Sequence, residues 1–388
     1  MKASIAKVDV RGKRVLVRED LNVPLRGGMV QDDTRIEAAV PTLRGLARRS
    51  ARVIVLSHLG RPSGPDPELS LRPVAAVLGR HLSHDVRFAD DCVGEPAEGA
   101  AGGLADGQIL LLENVRFHPE EEANDPDFAR RLAALGEVFV NDAFAASHRA
   151  HASVVGIARH LPAYAGDLML AELEALHRAL DDPRRPLVAL VGGAKVSTKA
   201  GVLRHLLAKV DFLLLGGAMA NTFFKARGLE VGASLVEPEA LEEARAVEKL
   251  GGQKLVLPTD AVCAREMKAG QETRVMKVDA VAPGWMMLDL GPASLELFSR
   301  HLKDAGTVVW NGPVGVFEIP EFSAGTRALG EAIAGSGAFS LLGGGDTAAA
   351  VEALGLHGRF SHVSTGGGAT LEYLEGRELP GVAALRDE

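Results

Sequence analysis

Nine times along the chain, a short and continuously apolar run stops abruptly at glycine or polar residues and gives way to a helical pattern. In the first half the runs are RVLVRED (14–20), RVIVLSHLG (52–60), QILLLENVRF (108–117) and EVFVNDAF (137–144). In the second half they are PLVALVGGAK (186–195), FLLLGGAMA (212–220), KLVLPTD (254–260), TVVWNGPVG (307–315) and FSLLGGGDT (339–347). Half-exposed antiparallel strands would alternate apolar with polar residues. Continuous apolar runs instead describe strands buried on both faces, with helices between them. Strand and helix in strict alternation imply parallel α/β sheets.

The intervening segments carry helix signals. Leu203, Leu206 and Leu207 share one face of VLRHLLAK, with Ser197 and Thr198 as expected caps. EPEALEEARAVEKLGG begins acidic, ends basic and stops at Gly251, in line with the helix dipole and the glycine terminator. In DLMLAELEALHRAL (167–180), Met169, Leu173, Leu176 and Leu180 recur at helical spacing before DDPRRP breaks the pattern. This segment is read as a linker helix within 167–186, between an N-terminal domain (1–166) and a C-terminal domain (187–369). A chain of 388 residues fits two domains.

Open parallel sheets bind ligands at the carboxyl ends of their strands. In the first half those ends carry Arg18, Asp20 and Asn22, then His58 and Arg61, then Asn114 and Arg116, then Asn141 and Asp142, with Arg35 and Arg149 nearby. Clustered guanidinium forks suit phosphate and carboxylate oxygens, so a small phosphorylated acid is the expected ligand. The second half offers glycine loops instead: 192–195, 216–220, 311–315, 343–347 and 365–368. Glycine lets backbone approach closely, and helix starts attract phosphate. With Lys195, Lys199 and the single carboxylate of Asp346, this set suits a nucleotide polyphosphate carrying Mg²⁺.

Other classes lose ground. G-x-x-x-x-G-K-[ST], a G-x-G-x-x-G opening a first βα unit, and G-x-S-x-G are all absent, which disfavours P-loop, nicotinamide-dependent dehydrogenase and hydrolase readings. A net charge of −8 argues against a nucleic-acid or anionic-membrane partner. No run reaches a membrane span of about 18 apolar residues, and a cytoplasmic location is expected. Cys92 and Cys263 stand far apart outside any CxxC pair, so neither a disulfide nor a zinc pattern is read. Singly, each residue has a plain alternative. His58 could be a hydrogen-bonded histidine at a strand end, Arg116 and Arg149 surface ion pairs, and Lys195 and Lys199 part of a solvated helix face. His148 and His151 beside Asp142 read as structural or anion-binding rather than metal-binding. Met219, Met286 and Met287 read as packing.

The segments VREDLNVP (17–24), SHLGRP (57–62), ENVRFHPEE (113–121), HRAHAS (148–153), VGGAKVSTK (191–199), WNGPVGVFE (310–318), GGGDTA (343–348) and HVSTGGGATLEYLEG (362–376) together resemble the phosphoglycerate kinase family, in that family's order and over nearly the whole chain. The resemblance implies two Rossmann-like, doubly wound parallel-sheet domains joined by a long helix, with residues 370–388 returning to the N-terminal domain. It implies a monomeric enzyme of glycolysis and gluconeogenesis that transfers a phosphoryl group directly between 1,3-bisphosphoglycerate and ADP, with domain closure. Asp20, Asn22, Arg35, His58, Arg61, Arg116 and Arg149 would hold 3-phosphoglycerate. Lys195, Lys199, Gly217, Asn311, Glu318, Gly344, Gly345, Asp346 and Thr347 would bind ADP or ATP, with Glu318 on the ribose and Asp346 on Mg²⁺. Arg35 and Lys195 would flank the transferring phosphoryl group, and Gly367 and Gly368 would serve closure and phosphate contact. The chain departs from the family pattern at Glu19 and Leu21, at Ala145, Ala146 and Ser147, and at Ala218. A kinase-like scaffold without activity would have lost the charged set, yet Arg35, Lys195, Lys199 and Asp346 are present.

Overall fold

A computed structural model describes residues 1–388. The chain forms two compact units, Met1–Leu173 with Glu378–Glu388, and Glu174–Arg377. Every one of the nine apolar runs contributes a strand to a parallel sheet.

The first unit contains β1 (Arg14–Arg18), β2 (Leu25–Arg26), β3 (Met29–Val30), β4 (Arg52–Leu56), β5 (Val86–Ala89), β6 (Ile109–Leu112), β7 (Val138–Asn141) and β8 (Ala163–Ala165). Six of these form an all-parallel sheet in the order β5-β6-β4-β1-β7-β8. Side chains alternate across a strand. Val15, Val17, Val53, Val55, Ile109 and Leu111 therefore point to one face, where they pack with Ile36 and Leu43 of the helix Thr34–Arg48 and with Val74 and Leu78 of the helix Arg72–Leu82. Leu16, Ile54 and Leu110 point the other way and are equally buried. That double burial is why the runs are continuously apolar. β2 and β3 form a separate hairpin whose two-residue loop, Gly27–Gly28, has positive φ at both positions. The C-terminal residues dock on this unit: the Gly381 amide donates to the Ser147 carbonyl (2.8 Å), and Asn141 Nδ2 donates to the Gly381 carbonyl (3.1 Å).

The second unit contains β9 (Leu187–Val191), β10 (Phe212–Leu215), β11 (Leu255–Val256), β12 (Asp260–Ala264), β13 (Arg274–Lys277), β14 (Met286–Leu290), β15 (Thr307–Asn311), β16 (Phe339–Gly343) and β17 (His362–Val363). Its parallel sheet runs β11-β10-β9-β15-β16-β17. Leu190, Val308, Trp310 and Leu342 pack on one face against Phe298, Leu302, Leu329 and Ile333. An antiparallel sheet, β13-β12-β14, accompanies it.

The structure departs from the sequence reading in places with physical causes. The short edge strands β5, β8 and β17 lack long apolar runs because an edge is less buried. The run 254–260 splits at Pro258, which ends β11 and sends Asp260 into the antiparallel sheet. The helix Ala200–Lys209 starts from Lys199 rather than from a Ser197 or Thr198 cap, because Ser197 is bonded to Glu237 instead. The helix Asp167–Leu180 has the expected span, and no helix is long and apolar enough to cross a membrane.

Among the buried carboxyl groups held by backbone amides, one in each unit carries a strongly raised pKa. Asp142 Oδ1 accepts from the Met169 amide (2.8 Å). Asp289 accepts from the Leu290 (2.9 Å) and Gly325 (2.8 Å) amides. A Cβ at Gly315 or Gly325 would collide with the Asp289 carboxylate, so both positions require glycine. Burial pushes both carboxyls up to about 7, outweighing the amide bonds. A raised carboxyl pKa means that the folded state holds the proton more tightly than the unfolded chain. The stability contributed by Asp289 is therefore fully present below its unfolded value near 3.8 and is lost as pH rises through about 7. Urea unfolding at pH 5 and pH 8 should show a shallower loss of stability with pH in Asp289→Asn than in the unmodified chain. Equal slopes would contradict this assignment.

Candidate active site

In the first unit the site is built from neighbouring strand ends, in the sheet order β6-β4-β1-β7. β1 delivers Arg18 and the following Asp20 and Asn22. β4 leads into Ser57 and His58. β6 leads into Asn114 and the 3₁₀ turn Val115–Phe117 that carries Arg116. Asn22 Oδ1 accepts from the Gly60 amide (2.9 Å), and Ser57 Oγ accepts from the Leu21 amide (2.9 Å), so the loops after β1 and β4 are tied together. Arg35, in the first turn of its helix, is paired with Asp20. Arg116 Nη1 donates to the Gly60 carbonyl (2.7 Å), and its Nε lies 3.1 Å from Glu122. Arg149 Nε lies 3.1 Å from His148 Nε2. Arg61 is on the same loop as Gly60, with its side chain exposed.

Arg18 is the residue the sequence reading undervalued. Its side chain is 1% exposed. Nε donates to Ser153 Oγ (2.8 Å), Nη1 donates to the Glu19 carbonyl, and Nη2 faces His58 Nδ1 at 3.0 Å. Ser153 is held in turn by Glu121, which accepts from its hydroxyl (2.5 Å) and its amide (2.8 Å). Ser153 lies in a single π-helical turn, Ala152–Gly156, a distortion common at functional sites. A guanidinium can only donate, so His58 Nδ1 must accept and the ring proton sits on Nε2. Burial, then the charges of Arg18, Arg116 and Arg35, hold the His58 pKa well below its usual value. His58 is thus a neutral donor inside a cationic cluster. HRAHAS already contained Ser153, and ENVRFHPEE contained Glu121. Their support of Arg18 depends on packing across the fold, which spacing does not report.

Glu19, one of the departures from the family pattern, is fully buried with no hydrogen-bond partner at either carboxyl oxygen. Burial, then the nearby Asp142, raises its pKa well above the ordinary range, which disfavours its ionised form.

In the second unit the glycine loops follow β10, β9, β15 and β16, which are adjacent in that order. Close approach explains the glycines. A Cβ at Gly192 would collide with the Pro313 carbonyl, and one at Gly217 (φ +73°) would lie 2.6 Å from the Gly193 amide nitrogen. Gly344 has φ +97° and precedes the helix Gly345–Ala353, whose first amides lack intrahelical partners. Thr347 Oγ1 accepts from the Gly312 amide (2.6 Å) and donates to the Gly343 carbonyl (2.8 Å). Asn311 Nδ2 donates to the same carbonyl (2.8 Å). Thr347 and Asn311 are buried and brace the loops, whereas Lys195, Glu318, Gly345 and Asp346 are exposed. Lys199 Nζ donates to the Gly192 carbonyl and to Asn311 Oδ1, both at 2.6 Å. Burial lowers its pKa to about 8, partly offset by Asp346. Gly367 has φ +51°, and Gly368 opens the helix Gly368–Leu374.

Asp346 is one exposed carboxylate at a glycine-lined helix start. A single carboxylate fits Mg²⁺ that arrives with a nucleotide and keeps phosphate and water ligands, and does not fit an all-protein metal cage. For His58, ring ¹H–¹³C NMR should show a neutral Nε2–H imidazole that does not titrate near pH 6.5. A normal titration there would contradict the Arg18 contact.

The family model described as phosphoglycerate kinase matches residues 5–377. The phosphoglycerate kinase of Moorella thermoacetica is 52% identical over 391 residues, covering 100% of both chains. That of Rubrobacter xylanophilus is 54% identical over 385 residues, covering 99% of this chain and 98% of the relative. The solved phosphoglycerate kinase structure from Coxiella burnetii superposes with a TM-score of 0.93 at 44% identity, covering 99% of this chain and 98% of that one. That from Pyrococcus horikoshii gives 0.85 at 32% identity with the same coverage. With two six-stranded parallel α/β units and a match across nearly its whole length, the chain belongs to the phosphoglycerate kinase family of phosphotransferases.

Proposed function

We propose that the chain catalyses the Mg²⁺-dependent, reversible transfer of a phosphoryl group between 1,3-bisphosphoglycerate and ADP, giving 3-phosphoglycerate and ATP. The observation that carries this reading is the division of chemistry between the units: a guanidinium cluster around a neutral histidine donor in one, glycine loops with two lysines in the other. Asp20, Asn22, Arg35, His58, Arg61, Arg116 and Arg149 hold 3-phosphoglycerate. The Nε2–H of His58 offers its anionic oxygens a donor, and Asp20 fixes the direction of Arg35. Lys195, Lys199, Gly217, Glu318 and the 344–347 turn hold the nucleotide, with Asn311 keeping Lys199 in place. Asp346 holds Mg²⁺, which would neutralise phosphate charge when bound. The enzyme acts as a cytoplasmic monomer.

Both acceptor oxygens of this reaction, the carboxylate of 3-phosphoglycerate and the terminal phosphate of ADP, are already ionised at neutral pH. The protein needs no general base. It must collect cations around the transferring group and exclude the water that would hydrolyse an acyl phosphate. Arg35 and Lys195 supply the cations. The family's domain closure, with Gly367 and Gly368 contacting phosphate, is the step that brings the two substrates together and excludes water.

Turnover of 3-phosphoglycerate and ATP, coupled to a dehydrogenase that oxidises NADH, should require both substrates and Mg²⁺. Folded protein that binds ATP without turnover would instead favour a scaffold. Lys195→Ala should lower kcat by roughly 10²–10³-fold, the usual loss on removing one preorganised charge stabiliser, and leave 3-phosphoglycerate affinity near normal. Unchanged turnover would remove Lys195 from its role. ADP affinity should fall as pH rises past about 8, where Lys199 loses its proton, and Lys199→Arg should abolish that fall. A fall that persists in Lys199→Arg would assign the titration to another group.

A further inference from the structure

The linear spacing around Cys92 shows no metal pattern, but the fold creates one. β5 and β6 are parallel neighbours whose last residues, Ala89 and Leu112, stand opposite one another. The chain leaving β5 carries Asp91 and Cys92. The chain leaving β6 makes the turn Val115–Phe117 and presents His118. One ligand atom from each of Asp91, Cys92 and His118 lies within 4.8 Å of the others. His118 Nε2 and Asp91 Oδ1 are 2.7 Å apart, sharing a proton in the position a metal ion could take. The Asp91 carboxylate is already oriented, because Oδ1 accepts from the Cys92 amide (2.6 Å).

The surroundings favour a cation. Asp91 and His118 line a cavity of about 540 Å³, together with the carboxylates of Asp66, Asp90 and Glu113 and the side chain of Arg72. Arg72 is paired with Asp90, which leaves the remaining carboxylates in excess. Cys92, the only thiol of this unit, is fully buried next to Asp91. A thiolate, an imidazole and a carboxylate with a fourth position open to a cavity is a donor set for zinc. Bonds of about 2.3 Å to sulfur, about 2.0–2.1 Å to nitrogen and about 2.0–2.2 Å to oxygen set tetrahedral ligand atoms about 3.3–3.6 Å apart, so binding opens the 2.7 Å His118–Asp91 pair and draws together ligand atoms that lie within 4.8 Å of one another. Magnesium and calcium prefer all-oxygen sets, so this site differs in kind from Asp346.

We infer that Asp91, Cys92 and His118 form a binding site for Zn²⁺ or a similar thiophilic divalent cation, at the edge of the first unit and apart from the phosphoryl-transfer residues. Uptake moves the His118 ring proton from Nε2 to Nδ1 and releases the Cys92 thiol proton to solvent. His118 follows directly on the turn that carries Arg116, so an occupied site fixes the base of that turn.

The test is titration of the full chain with Co²⁺ as a spectroscopic stand-in for zinc, without nucleotide and with a non-thiol reductant. One equivalent should produce a thiolate-to-metal charge-transfer band. Cys92→Ser should abolish the band and Cys263→Ser should leave it unchanged. His118→Gln, a half-buried change that keeps Cys92 in place should Cys92→Ser fail to fold, should weaken affinity at least tenfold. Zn²⁺ should also raise the Tm of the unmodified chain. The inference is overturned if no band forms, if the band follows Cys263, if His118→Gln binds as tightly as the unmodified chain, or if Zn²⁺ lowers Tm by capture of unfolded thiols.

Discussion

A parallel sheet covered by helices on both faces has nowhere to put polar side chains except the ends of its strands. The rest of this molecule follows from that constraint. Val15 to Val17, Val53 to Leu56, Leu187 to Val191 and Val308 to Trp310 are buried without exception. The first polar residues after each run therefore gather at one rim, beside those of the adjacent strands. The same physics yields opposite chemistry in the two units. In the first, the rim residues are long cations with carboxylate and amide partners. In the second, they are glycines whose missing Cβ atoms let the loops after β9, β10 and β15 approach one another closely.

Arg18 shows how a permanent charge survives inside such a rim. Leaving a guanidinium buried without partners would be costly, so every side of it is answered: the Ser153 hydroxyl, the Glu19 carbonyl, the His58 ring and the field of Glu121. The arrangement has a consequence beyond stability. By donating to Nδ1, Arg18 leaves His58 able to offer only its Nε2 proton outward. Glu19 is buried beside them, and burial raises its pKa, which disfavours a negative charge there. The cationic character of the site comes from Arg18, Arg35 and Arg116, while His58 contributes a neutral donor.

Much of this was legible in the sequence because it is written in local pattern. Continuous apolar runs named the strands of both parallel sheets except the edge strands β5, β8 and β17, and the span of the helix Asp167–Leu180 followed from leucine spacing. Arginines and glycines at the run ends indicated which half suits which anion. The rest depends on contacts between residues distant in sequence. The antiparallel sheet of β12, β13 and β14 hides in mixed sequence, and β11 ends where Pro258 removes a donor. The support of Arg18 by Ser153, and the meeting of Cys92 with His118, join segments that only the sheet order brings together. The helix cap expected at Ser197 is absent because Glu237 competes for that hydroxyl.

The central claim is that the two anions are recognised by different units through different chemistry. Hydrogen-exchange mass spectrometry of the full chain, with 3-phosphoglycerate alone and then with MgADP alone, tests it directly. The account predicts that 3-phosphoglycerate slows exchange in the segments after β1, β4 and β6 and around Arg149, and that MgADP slows exchange in the glycine loops after β9, β10 and β16. Protection of the same unit by both ligands, or of the reverse pairing, would contradict it.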